Sequence, residues 1–222
     1  MHKNILTSNP SNHMPPFQIL EDGSLGDLLI VVDMQNVYLE DQPWGCIETT
    51  KVIQSIRSLI DQKIPDNILF TQFLPPQRPI GTWKQYNHKN QEINDTPWMS
   101  EIVADLAPYC SQYPLFSKEK YSSYSNPKVA SAAAKARRVV LCGVMTECCV
   151  LFTLLSGIDA GNKIIYLTDA CSGSCKEHQQ FVERLAANYA PVHTEVMTCQ
   201  DYINSRIEAK TSRRTKFPLL IT

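Results

Sequence analysis

Apolar residues recur along this chain as short continuous runs, separated by stripes at helical spacing. Leu28–Val32 (LLIVV) is unbroken, the pattern of a central parallel strand covered on both faces. Val52, Ile56, Leu59 and Ile60 share one helical stripe, and Asn67–Phe73 returns to strand character. Leu74 to Pro97, rich in proline and aromatics, predicts a long loop. Ile102–Leu106 begins or ends a short helix, Leu115 and Phe116 predict a strand, and the alanine-rich Pro127–Lys135 a helix. The C-terminal half repeats the alternation. Arg138–Cys142 (RVVLC) reads as a strand, and a helix over about Glu147–Ala160 is stopped by Gly161-Asn162. Lys163–Thr168 (KIIYLT) reads as a strand ending at Asp169. Lys176–Tyr189 follows as a helix with Phe181, Leu185 and Tyr189 at helical spacing. After a break at Pro191, Val192–Met197 is the last strand. Strands alternating with helices predict an α/β protein: a three-layer α/β/α domain of Rossmann type with a mostly parallel central sheet. The expected organisation is an N-terminal arm over 1–26, one domain over 27–204 and a basic C-terminal tail over 205–222. That tail reads equally as a packing arm between subunits or as a frayed end.

Composition narrows the function by exclusion. The chain has 222 residues, 43% apolar and 19% charged, enough for one domain with a real core. A formal net charge of -1 favours neither nucleic acid nor an anionic membrane as partner. No stretch approaches the ~18–20 apolar residues that span a bilayer. The opening MHKNILTSNPSNHMPPF lacks the apolar core of a signal peptide, so a cytoplasmic protein is expected. Eight cysteines, mostly in or beside apolar runs, then read as reduced core thiols rather than a disulfide framework.

In open parallel sheets, ligands bind beyond the carboxyl ends of the strands. Three reactive residue types fall there. Asp33 follows LLIVV, Lys118 follows PLFS, and Cys148 and Cys149 open the helix after RVVLCG. A thiol in the first helical turn meets unpaired N–H groups and the positive end of the helix dipole, which favour thiolate and are placed to hold an oxyanion. A carboxylate beside it can take and return a proton, and a lysine can orient that carboxylate. Position alone does not choose between Cys148 and Cys149, or between Lys118 and Lys120. Each also has a bland reading: a buried inert cysteine, a strand-ending aspartate, a solvated lysine. A redox or zinc protein is the other class considered. It is disfavoured because no C-x-x-C occurs and two of the cysteines are adjacent.

At these residues the chain resembles the isochorismatase-like cysteine hydrolases, a group that includes nicotinamidases, carbamoylsarcosine amidohydrolases and ureidoacrylate and biuret hydrolases. LLIVVDMQNVYLE is similar to the family's strand-Asp-x-Gln-Asn opening, and FSKEKYSSY to its K-x-x-Y segment. LCGVMTECCVLFTLLSGIDAGNKIIYLTDACSGS is similar to its Gly-x-x-Thr-x-x-Cys-Val helix start and following strand. The three segments occur in family order over about 28–197. By this resemblance the nucleophile is Cys149, which precedes Val150 and lies three positions after Thr146, and the lysine is Lys118, three before Tyr121. It further implies a cis peptide at Val144–Met145 and an oxyanion hole made by the backbone N–H groups of Met145 and Cys149.

The implied activity is hydrolysis of a C–N bond in a small amide- or ureide-type molecule, through a thioester on Cys149. Another small-molecule bond, or a non-catalytic binding member of the fold, are the alternatives. Gln35, Trp83, Tyr86 and Tyr124 are the expected substrate contacts. No cofactor is expected. Metal-dependent nicotinamidases carry Asp-x-His after the second strand; this chain reads TQFLPPQRP there, with no histidine, so no metal is expected, and Gln72 stands where a subgroup has Arg, which argues against an anionic-substrate contact at that position. The expected partners are a small-molecule substrate and copies of this chain as a dimer or tetramer, with the loop around Trp44 contributed by a neighbouring subunit as one arrangement.

Overall fold

The computed structural model describes residues 17–216. Residues 1–16 of the expected arm and 217–222 of the expected tail lie outside the described residues. Strands are β1 (Asp27–Val32), β2 (Asn67–Phe73), β3 (Leu115–Lys118), β4 (Arg138–Val144), β5 (Ile164–Ser172) and β6 (Thr194–Met197). Helices are α1 (Thr49–Asp61), α2 (Trp83–Lys89), α3 (Gln91–Asn94), α4 (Pro97–Ser100), α5 (Pro127–Ala133), α6 (Leu151–Asp159), α7 (Lys176–Asn188) and α8 (Cys199–Lys216). The strands form one all-parallel sheet in the order β3-β2-β1-β4-β5-β6. This is the expected α/β/α architecture. All six residues of β1 are buried, as its unbroken apolar run requires of a strand covered on both faces.

The order of strands sets where a ligand goes. The chain builds outward from β1 to β3, then returns to the other side of β1 with β4. The switch point is therefore between β1 and β4, and their carboxyl ends splay into a crevice. The two strands approach closely at Gly143, whose φ is 116° and where a Cβ would sit 2.2 Å from the Val32 carbonyl oxygen, so only glycine fits.

Several local expectations change. The Leu74–Pro97 segment folds as short helices α2 and α3 and ends at α4, because its aromatic rings pack together over the end of the sheet. Ile102–Leu106 is not helical. Ile102 instead forms an isolated antiparallel bridge with Gln35, and the turn residues lead into a 3-10 helix at Ala107–Ser111. The strand ending at Asp169 runs on to Ser172, because β5 resumes pairing with β4 after an irregularity near Leu141 and Gly143. On α7, Phe181 and Tyr189 are exposed, and the buried positions are Val182 and Ala186. Both sets satisfy helical spacing; the smaller residues allow the helix to seat closely on the sheet.

The boundary expected at 204/205 falls inside α8. Arg206 joins that helix to the body of the domain, with Nη2 2.7 Å from Asp66 and Nη1 3.3 Å from Asp27. Asp27 is fully buried and also receives a bidentate contact from Arg138 and the Tyr202 hydroxyl, so its charge is matched on every side.

Candidate active site

β1 ends in a left-handed kink at Asp33 (φ 50°), a conformation aspartate tolerates better than most residues. The kink aims the carboxylate into the crevice, where it is fully buried. Its Oδ1 accepts a 2.7 Å hydrogen bond from Thr71 on β2, and its Oδ2 lies 2.6 Å from Lys118 Nζ. Lys118 is the last residue of β3, two strand spacings or about 10 Å from β1. The four-carbon stem of lysine and the Asp33 side chain close that gap beneath Phe73. The ammonium donates to the Lys120 and Tyr121 carbonyls at 3.0 and 2.8 Å, leaving its remaining N–H direction to Asp33 and the thiol. Burial opposes its charge, but Asp33 and Cys149 outweigh this and hold the ammonium pKa above its ordinary value.

After β4 the Val144–Met145 peptide is cis, as expected. Thr146–Val150 then forms one π-helical turn before α6, an irregularity common where a helix carries a functional group. Cys149 is 2% exposed, and its thiol is within hydrogen-bonding reach of both Asp33 and Lys118. Cys148 is half-buried and its thiol is influenced by Glu147 instead. The geometry thus separates two cysteines that position along the chain could not.

The thiol does not behave as the helix terminus alone predicts. Burial, reinforced by the Asp33 carboxylate, pushes the Cys149 pKa well above its ordinary value, and the attraction of Lys118 only partly offsets this. Burial also raises Cys46, Cys142, Cys171 and Cys199. A thiol raised in the folded state stays protonated when the unfolded chain has already ionised, so folding stability is full below the ordinary value of 9.0 and falls as pH rises above it. Each such thiol removes about 1.4 kcal/mol per pH unit in that range. Urea midpoints are expected to fall steeply from about pH 8 to about pH 10; equal midpoints would show that these thiols are not buried.

A chain of buried hydroxyls runs from Asp33 to the Cys149 backbone; Ser123 and Thr153 lie within the family-like segments but, like Thr71, are not singled out by them. Thr71 bonds to Asp33, Ser123 Oγ lies 3.5 Å from Thr71 and 3.1 Å from Thr153, and Thr153 donates to the Cys149 carbonyl at 2.6 Å. The available signal was a threonine inside each of two otherwise apolar stretches, NILFTQF and LFTLL.

Cys149 opens onto a cavity of about 160 Å³ lined by Tyr38, Trp44, Phe73, Tyr86, Tyr121, Met145 and Cys148. Of the expected contacts, Tyr86 and Met145 lie in this wall. Trp83 stands one layer back, its ring 5.0 Å from Tyr86 and 5.1 Å from Tyr121. The Gln35 side chain reaches neither the cavity nor the Asp33 carboxylate. Its amide is spent on the Phe73 N–H and C=O and the Ser100 carbonyl, fixing the end of β2. Tyr124 is likewise elsewhere, donating to Asn162 at 2.7 Å behind α6. Trp44 lines the cavity of its own chain. Tyr38, Phe73 and Tyr121 are wall residues that the sequence did not single out. A larger depression of 480 Å³, near Lys63 and Gln112, lies beyond the amino end of β2, away from this chemistry.

The residues after β2 do not fit a metal centre. Gln72 donates its amide to the Ser100 carbonyl at 2.7 Å and is followed by Phe73 and Leu74. Among the described residues, no group of three or more His, Cys, Asp or Glu side chains is placed to hold a metal ion. Among them also, no helix is long and apolar enough to cross a membrane.

Comparison with solved structures identifies the same fold elsewhere. A cysteine hydrolase from Pseudomonas syringae pv. phaseolicola 1448A is 22% identical with a TM-score of 0.69, over 82% of this chain and 92% of that one. An isochorismatase-like hydrolase from Alkaliphilus metalliredigens is 19% identical (TM-score 0.64; 81% and 98% covered). The N-carbamoylsarcosine amidase of Thermoplasma acidophilum is 18% identical (TM-score 0.61; 78% and 96% covered). No curated protein sequence matches the chain significantly. Residues 27–198 match the sequence model of the isochorismatase domain. That stretch begins at β1 and ends just after β6, and so contains Asp33, Lys118 and Cys149: the chain belongs to the isochorismatase domain family.

Proposed function

We propose that this protein is a cysteine hydrolase that cleaves a C–N bond of a small amide- or ureide-type molecule through a thioester on Cys149. One observation carries the reading. The Cys149 thiol lies within reach of a buried Asp33–Lys118 pair and itself lines an aromatic-walled cavity. In the proposed cycle Asp33 takes the thiol proton as sulfur attacks the carbonyl carbon. The N–H groups of Met145 and Cys149 hold the oxyanion. Protonated Asp33 then gives its proton to the departing nitrogen as the C–N bond breaks. Water, deprotonated by Asp33, attacks the thioester; the acid leaves and the proton returns to sulfur. Lys118 holds Asp33 in place and stabilises its charge. These side chains supply every proton transfer without a cofactor.

A cavity of about 160 Å³ is below the ~300 Å³ at which drug-sized ligands are held, which supports a substrate of few heavy atoms. The test is acid-quenched mass spectrometry during turnover of a panel of small amides and ureas. An acyl adduct on the Cys149 peptide is expected, and turnover without any adduct would remove the thioester step.

We also place the protein in the cytoplasm, where reducing conditions suit its eight unpaired cysteines. Assembly as a dimer or tetramer is supported by the exposed side chains of Phe152, Phe181 and Val192. Sedimentation at the mass of a single chain would exclude assembly.

A further inference from the structure

The walls of the cavity carry a second message, about charge. Its lining is five aromatic rings, one methionine and two cysteines, with no Lys, Arg, His, Asp or Glu side chain. The rings form a closed set: Tyr38–Trp44, Trp44–Tyr86, Tyr86–Phe73 and Phe73–Trp44 centroids are 5.7, 6.2, 6.1 and 6.4 Å apart. We infer that the site accepts only an uncharged acyl group bearing hydrogen-bond acceptors, and rejects substrates that carry a carboxylate or an ammonium. This inference rests on Cys149 being the nucleophile and adds the substrate class to that reading.

An anion entering this space loses its water and gains no counter-charge. The nearest cation, Lys118, is already held by Asp33 and two carbonyls, and ring faces are themselves negative. Cations are ordinarily welcome among such faces. Here, however, the cluster already carries an ammonium at each end. Lys118 Nζ is 5.4 Å from the Phe73 centroid and Lys120 Nζ is 4.9 Å from that of Trp83. A third cation would face these two, with no carboxylate in the wall to balance it. What the wall does offer is hydroxyl groups. Among the described residues, no hydrogen bond engages the phenol of Tyr38, Tyr86 or Tyr121. Burial, with the neighbouring acidic groups, raises all three, so each remains a neutral donor.

Small alkylating probes test this without a known substrate. Iodoacetamide and iodoacetate have the same size and differ in charge; 2-bromoethylamine supplies a small cation. Each is reacted with the native full-length protein, the sites are mapped by mass spectrometry, and the rates are divided by those for N-acetylcysteine. Cys110, outside the cavity, is the internal control. At Cys149 the normalised iodoacetamide rate is expected to exceed both charged probes by at least about tenfold, with no such preference at Cys110. Equal or faster reaction of iodoacetate, or of 2-bromoethylamine, at Cys149 would overturn the charge inference while leaving the nucleophile in place. A Cys149 inert to all three while Cys110 reacts would remove the nucleophile, and the substrate class with it.

Discussion

Replacing Cys149 with alanine is expected to lower hydrolysis by ~10⁴-fold or more with the fold retained. The magnitude follows from the way the group acts. Without sulfur there is no acyl-enzyme, and Asp33 and the oxyanion donors are left to act on a water that has no built position. Stability should change little, because a thiol-to-methyl replacement removes one atom from a site that already borders a cavity. Cys148→Ala is the informative partner. Cys148 also lines the cavity, so its loss is expected to alter KM, but the groups acting on its thiol do not include Asp33 or Lys118, and the Cys149 adduct should still form. Steady-state kinetics with acid-quenched mapping separates the two. Turnover surviving in Cys149→Ala, or an adduct that moves to Cys148, would refute the assignment.

Breaking the Asp33–Lys118 pair from either side is expected to cost about 3–5 kcal/mol of folding stability, and removing both partners far less. Both side chains are 0% exposed, so Lys118→Met leaves a carboxylate in the interior with only the Thr71 hydroxyl and the thiol to face it. Asp33→Asn leaves an ammonium held by two carbonyls alone. The double variant Asp33→Asn/Lys118→Met removes the desolvation cost of both ions and keeps a residue that tolerates the left-handed backbone at position 33; it is expected to unfold at a urea midpoint near wild type while hydrolysis stays absent. Lys118→Arg should not rescue activity, because a planar guanidinium does not occupy the point at which one ammonium meets Asp33, the Lys120 carbonyl and the Tyr121 carbonyl. Single variants as stable as wild type would mean that the pair is hydrated rather than buried. This outcome would also remove the reason for the Asp33 orientation on which the proposed proton transfers depend.

Much of this molecule is legible before folding. The unbroken run Leu28–Val32, the stripe Val52/Ile56/Leu59/Ile60 and the alternation of runs with helices specify an α/β/α sheet because periodicity and burial are local consequences of backbone geometry. Reactive residues at strand ends are equally legible, since a strand end in a parallel sheet is also a position at its ligand-binding edge. Asp33, Lys118 and Cys149 are candidates on this ground, with the motifs choosing between neighbouring cysteines and lysines.

What surrounds them was decided only in three dimensions. Whether Gln35 faces a ligand or the backbone of Phe73, whether Tyr124 lines the cavity or braces Asn162, and which face of α7 meets the sheet all depend on packing partners more than twenty residues distant or on close fit. The same holds for Tyr38, Phe73 and Tyr121 closing the wall, and for Thr71, Ser123 and Thr153 joining Asp33 to the Cys149 backbone. The thiol makes the contrast clearest. Its place at a helix start, read along the chain, predicts a lowered pKa; desolvation and the Asp33 charge, which exist only once β1 and β4 lie side by side, reverse it. The chain therefore determined by itself the sheet and the reactive atoms, because both follow from local pattern. The tertiary structure alone decided their electrostatic surroundings and the shape and polarity of the cavity, because those depend on long-range burial and charge.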